Sequence, residues 1–134
     1  MSPILKITYL PAGSLRGYEN NARQHSKAQL KKLKRSIRQN GWTNPIIVDE
    51  DHMVLAGHGR LAAAIEMGID RIPTVQLTHM TPAQKRAYII ADNAIAEKAS
   101  WSKDMLRLEL NDLSTLGFEL EQTGFDTIEI DRLL

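Results

Sequence analysis

The segment Leu55-Ala56-Gly57-His58-Gly59-Arg60 runs without a break into Leu61-Ala62-Ala63-Ala64-Ile65-Glu66-Met67, and few folds accommodate such a join. An apolar, strand-like stretch passes through a turn with two glycines and becomes a short alanine-rich helix. The first turn of that helix presents backbone N–H groups that have no partner inside the helix and carry partial positive charge. Glycines let the backbone come close to a ligand. His58 and Arg60 add side-chain donors, and arginine can hold a phosphate through two hydrogen bonds. Gly57, His58, Gly59 and Arg60 thus form an anion site suited to a nucleotide's phosphates. They equally suit a plain strand-to-helix turn in which the glycines only meet unusual dihedrals. The segment lacks both the Gly-Lys-Ser/Thr ending of a P-loop and the dinucleotide GxGxxG.

Around this join the chain reads as a small α+β unit followed by helices, in the order β-α-β-β-α-β-α-α-α. Residues 4–10 (ILKITYL) form a strand, closed by Pro11 and Gly13. Ser26 caps a helix whose apolar stripe is Leu30, Leu33 and Ile37 and which Asn40-Gly41 stops. Ile46-Ile47-Val48 and Met53 to Ala56 make a hairpin around the turn Asp49-Glu50-Asp51. Residues 72–77 give another strand, with Pro73 near its start or on an edge. Thr81-Pro82-Ala83-Gln84 is a capping box for a helix reaching about residue 99, with Ala87, Ile90, Ala91, Ala94 and Ile95 facing inward. Ser102 opens a helix carrying Met105, Leu106, Leu110 and Leu113, and a last helix begins near Asp126. Trp42 and Trp101 follow helix ends and read as core plugs. The apolar end, Leu133-Leu134, suggests that a longer polypeptide or a partner continues there.

The chain's 134 residues suit compact domains with a true core, burying roughly two thirds of the unfolded surface. There is no cysteine, which removes disulfides, thiolate metal sites and cysteine nucleophiles together and fits a reducing cytoplasm. No stretch approaches the ~20 apolar residues that cross a bilayer, so no membrane association is expected. The net charge of +1 hides an asymmetry: residues 1–67 carry ten Lys/Arg against five Asp/Glu, and residues 68–134 seven against eleven. One helix face concentrates the excess in Lys27, Lys31, Lys32, Lys34, Arg35 and Arg38. It reads either as a solvated surface or as a non-specific contact for nucleic-acid phosphates.

Two further boxes stand out. Tyr18-Glu19-Asn20-Asn21-Ala22-Arg23 is a loop in which Asn21 and Arg23 can reach a phosphate or base. Asp92-Asn93 interrupts an apolar helix, where both residue types compete with the backbone for hydrogen bonds. A ligand contact (a ribose, a base edge or a metal-bound water) would explain the pair, and so would a structural hydrogen bond.

Taken in order and spacing, the three boxes resemble the N-terminal domain of the ParB family, of ParB/sulfiredoxin-like fold. The run Tyr-x-Asn-Asn-Ala-Arg, Asn-Pro-Ile-Ile-Val-Asp, Ala-Gly-His-Gly-Arg and Ala-Asp-Asn is closer still to the ParB-like domain N-terminal to phage and prophage DNA-modification methyltransferases. The resemblance covers roughly residues 4–101 and implies a small mixed sheet packed with helices. It implies a nucleotide- and DNA-associated domain over residues 1–100 and a helical extension over residues 101–134. The nucleotide, of CTP or ATP type, would lie on Gly57 to Arg60 with Asn21, Arg23, Asp92 and Asn93, and Mg through Asp92. DNA, a nucleotide and a methyltransferase domain or subunit are the implied partners. Ala96 stands where partition proteins carry arginine, and His58-Gly59 where they carry Glu-Arg. Only about 35 residues follow Ala99, which leaves no room for a partition protein's helix-turn-helix and dimerisation parts.

Without a cysteine in the turn the chain is no sulfiredoxin, and without methyltransferase motifs it does not methylate by itself. Two alternatives use the same pocket: a Mg-dependent nuclease or a small-molecule kinase, for which Asp49, Glu50 and Glu66 are the candidate carboxylates. A third is a DNA-binding module with a vestigial pocket.

Overall fold

A computed structural model describes residues 4–19 and 25–134. The described chain divides into two compact units, Met1–Ala96 and Glu97–Leu134. The first contains a four-stranded mixed sheet in the order β1-β4-β2-β3, with β1 Ile7–Pro11, β2 Ile46–Val48, β3 Val54–Ala56 and β4 Arg71–Gln76. β4 pairs antiparallel with β1 and parallel with β2, and β2 pairs antiparallel with β3. The inner strand β4 buries Ile72, Pro73, Thr74 and Val75 in succession, as a strand covered on both faces must. Pro73 thus lies in an inner strand, opposite Tyr9 and one residue before β2 joins at Thr74.

The helices of this unit are α1 Lys27–Asn40, α2 His58–Glu66 and α3 Pro82–Lys98. Ser26 accepts from the Gln29 N–H to cap α1, and Gly41 closes it at φ 72°. Ile46, Val48, Val54, Leu61, Ala64 and Ile72 form the core cluster, with Trp42 packed against it as expected. The helix after the glycine turn starts at His58, so His58, Gly59 and Arg60 are themselves helical and Gly57 alone makes the turn.

The inward face of α3 differs from the expected one. Ile90 and Ile95 are 65% and 71% exposed, whereas Lys85 and Ile89 are buried and Asn93 is half-buried. The stripe is set by Lys85, Ile89 and Asn93, four residues apart, because an ion pair draws Lys85 inward. Periodicity in apolar residues alone misses that phase.

The second unit contains α4 Lys103–Thr115 and α5 Thr127–Leu133, joined through a 3-10 turn at Leu120–Thr123. Ser102 caps α4, and Asp126 and Glu129 form a reciprocal capping box on α5. Trp101 is 67% exposed and lies against Phe125 at a centroid distance of 5.7 Å, so it does not plug a core. Among the described residues no helix is long and apolar enough to cross a membrane.

Candidate functional site

Each α-helix but one has a side chain satisfying its N-terminal donors: Ser26 for α1, Thr81 for α3, Ser102 for α4 and Asp126 for α5. The exception is α2, whose N-terminal residue Gly57 offers no side chain. Leu61 donates to the Gly57 carbonyl at 2.9 Å, and the N–H groups of His58, Gly59 and Arg60, the other donors of the first turn, receive no side-chain cap from Gly57. Gly57 sits at φ 103°, in the left-handed region, and a Cβ there would lie 3.1 Å from Ile46 Cγ1. The sequence uses glycine here for conformation and so forfeits a cap.

Gly59 has a different reason. A Cβ on it would meet His25 Cε1 at 2.8 Å and Leu33 Cδ1 at 2.9 Å. Its bareness lets α2 approach the start of α1. The expected role of this glycine, closeness to a ligand, is therefore joined by closeness to a helix.

The uncapped turn opens into a cleft of about 380 Å³, walled also by His25 and Gln29 near the start of α1, by Asn44, and by Asp92 and Asn93 of α3. Turned so that its oxygen faces Arg60, the orientation its hydrogen-bond partners require, the Asn44 amide accepts from Arg60 Nη2 at 3.1 Å and holds one end of the guanidinium. His58 is not a simple donor: its Nε2 accepts from the Tyr18 N–H at 3.1 Å, so the neutral ring carries its proton on Nδ1. Burial, helped by the nearby His25, pushes the His58 pKa below the usual histidine value and keeps the ring neutral. His25 Nδ1 lies 3.0 Å from Gln29 Oε1. Asn93 Nδ2 donates to the Ile89 carbonyl at 2.9 Å, the i−4 bond that lets asparagine sit in a helix.

Of the predicted nucleotide residues, the structure thus brings Gly57, His58, Gly59, Arg60, Asp92 and Asn93 to one cleft. Asn21 and Arg23 lie outside the described residues. His25, Gln29 and Asn44 join the cleft without having been singled out. Only the start of a helix and an Asn-Pro pair marked them in the sequence.

The carboxylates nominated for catalysis lie elsewhere, each with a cation. Asp49 is 3% exposed and its Oδ1 accepts from the Asp51 and Met53 N–H groups at 2.9 and 2.8 Å. Lys85 Nζ stands 3.0 Å from Asp49 Oδ2 and 2.6 Å from Glu50 Oε1. Burial alone would raise the Asp49 pKa, but the Met53 N–H and the Lys85 ammonium hold it below the usual carboxylate value. The Lys85 hydrogen bond likewise lowers Glu50, and the two carboxylates raise Lys85. Asp49, Glu50 and Asp51 place carboxylate oxygens within 4.8 Å of one another, but the Lys85 ammonium already pairs with two of the three. Glu66 pairs with Lys34 of α1. The remaining basic side chains of α1 that were singled out include Lys27, Lys31, Arg35 and Arg38, all exposed, and Lys32, half-buried.

A four-stranded mixed sheet whose β2–β3 hairpin, with β3 at the edge, feeds an arginine-bearing helix is the arrangement of the ParB/sulfiredoxin-like α+β class. Residues 4–94 match the ParB N-terminal domain, and the chain belongs to that family. Residues 104–134 match the ParB-methyltransferase HTH domain. The expected helical extension over residues 101–134 thus carries a helix-turn-helix match of its own, across α4, the 3-10 turn and α5. The chain is 45% identical over 86 residues to the ParB-like nuclease domain-containing protein YnaK of Escherichia coli (strain K12), covering 64% of this chain and 99% of that protein. The C-terminally truncated chromosome-partitioning protein ParB from Caulobacter crescentus, complexed with CTP-gamma-S, superposes with a TM-score of 0.74 at 20% identity, over 88% of this chain and 68% of that one. The same protein complexed to the centromeric parS site gives 0.56 at 18% identity, over 94% and 63%. Sulfiredoxin from Arabidopsis thaliana gives 0.53 at 25% identity, over 63% and 97%.

Proposed function

We propose that the cleft above α2 binds a nucleoside triphosphate. The observation that carries this reading is the missing cap. Three N–H groups that the N-cap residue leaves uncapped, the dipole of a nine-residue helix and the Arg60 guanidinium converge where every other described α-helix spends its N-cap side chain on its own end. The fold is shared with a ParB captured with CTP-gamma-S, which adds support. Asp92, the carboxylate among the cleft's described walls, would hold Mg together with the phosphates, in the manner of a cation that keeps most of its waters. Mg would supply charge neutralisation there. Asn93 and Gln29 offer amides to a ribose or base, and Asn21 and Arg23 remain candidates for the same ligand.

DNA contact is assigned to α1. Residues 1–96 hold thirteen Lys/Arg against seven Asp/Glu, whereas residues 97–134 hold four against nine. The unit that matches an HTH domain is thus the acidic one, poorly suited to phosphates through overall charge. Its family match supports a link to a DNA methyltransferase, so the protein is read as a cytoplasmic accessory of such an enzyme.

Titration calorimetry with CTP, ATP, GTP and ADP, with and without Mg²⁺, tests the pocket. Saturable heat with at least one triphosphate is expected, and no heat with any of them up to millimolar concentration sinks the reading. Gel shifts at two salt concentrations test α1: affinity should fall steeply with salt, and Lys31/Lys32/Lys34→Glu should abolish it. The name of the Escherichia coli relative favours a second reading, phosphodiester cleavage. Incubating plasmid with the protein and Mg²⁺ or Mn²⁺ tests it, and intact supercoiled plasmid counts against it.

A further inference from the structure

The cluster of buried Lys85 and Asp49 with the more exposed Glu50 lies outside the anion turn, yet it joins the two elements that wall the cleft. Asp49 closes the β2–β3 turn through two backbone N–H groups, and Gln76 of β4 donates to the carbonyls of Asp49 and Glu50 at 3.2 and 3.3 Å. The hairpin so fixed runs directly through β3 into Gly57 and α2. On the other side, Lys85 is the first buried residue of the α3 stripe that continues through Ile89 to Asn93. Lys85 reaches both carboxylates from that helix.

We propose that Lys85 is a positioning residue: its ion pair with Asp49 and Glu50 latches α3 to the hairpin and so sets Asp92 and Asn93 at the right distance from the Gly57–Arg60 turn. Eight residues separate Lys85 from Asn93, about 12 Å along a helix, so a tilt of about 10° at the latched end moves the far end by about 2 Å. A ligand site tolerates only about 0.5 Å of misplacement before its hydrogen bonds fail. The latch therefore governs the cleft without lining it. The affinity part of this inference rests on the nucleotide reading above, while the mechanical part does not.

The experiment uses the full chain and compares Lys85→Met, Lys85→Arg and wild type by hydrogen exchange and by titration with CTP and ATP in Mg²⁺. Lys85→Met is expected to speed exchange of α3 amides between residues 88 and 94, with β4 amides unchanged, and to weaken nucleotide binding about tenfold or more. Lys85→Arg should restore both. If Lys85→Met does not fold, Glu50→Gln, at a half-exposed carboxylate, should move both readouts in the same direction by less. Unchanged exchange over 88–94 in a folded Lys85→Met or Glu50→Gln protein overturns the latch, whatever the affinity does. Faster exchange with a wild type that binds no nucleotide leaves the latch standing and removes the nucleotide reading.

Discussion

Two turns border the strand β3, and they solve the same problem in opposite ways. At its start, Asp49 accepts two backbone N–H groups while Lys85 meets its second oxygen. At its end, Gly57 offers no side chain to cap the three N–H groups that open α2. Both turns are polar in sequence, and the first is the more charged. The difference teaches that charge in a turn is a poor guide to a ligand site, since a self-satisfied cluster has nothing left to offer. An uncapped helix end beside a tethered arginine does.

Four changes break or sharpen this contrast. Asp49→Ala should be the most costly to stability, about 2–4 kcal/mol, because it strands two N–H groups and takes one of its two carboxylates from the Lys85 ammonium. Chemical denaturation reads it, and a loss under about 0.5 kcal/mol would mean that the first turn is not self-satisfied. Arg60→Ala should weaken triphosphate binding about 10- to 100-fold, the worth of a charge-assisted hydrogen bond, with little change in melting temperature. Equal affinity in calorimetry would put the phosphates elsewhere. Gly57→Ala should cost about 1–2 kcal/mol through its left-handed conformation and its contact with Ile46.

The smallest effect is one of pH. His58 has a lowered folded-state pKa, so its neutral form favours folding. That contribution is present above the unfolded value of about 6.5 and is lost as pH falls through the lower folded value. Melting temperature should therefore decline below about pH 6.5, and less so in His58→Asn. A decline of the same size in that variant would assign it to another group. Asp49, also lowered, adds a loss at more acidic pH, below about 4.

Much of the fold was legible because it is written locally. Ser26, Thr81 with Gln84, Ser102, and Asp126 with Glu129 announce helix starts within four residues, and all four cap as read. The glycine turn and the Asp92-Asn93 pair were visible for the same reason. What was hidden depends on contacts far apart in the chain. Lys85 meets Asp49 across 36 residues, and that pairing turned α3 away from its expected face. The Tyr18 N–H meets His58 across 40, and made an acceptor of a ring expected to donate. His25 entered the cleft only because Gly59 lets two helices touch.

That bare glycine has a mechanical meaning. With the side chains of His25 and Leu33 standing where a β-carbon of residue 59 would go, the basic flank is seated directly beside the anion crevice. A single methyl group at residue 59 would have to push both side-chain ends aside, so even the smallest substitution there is felt by the basic helix.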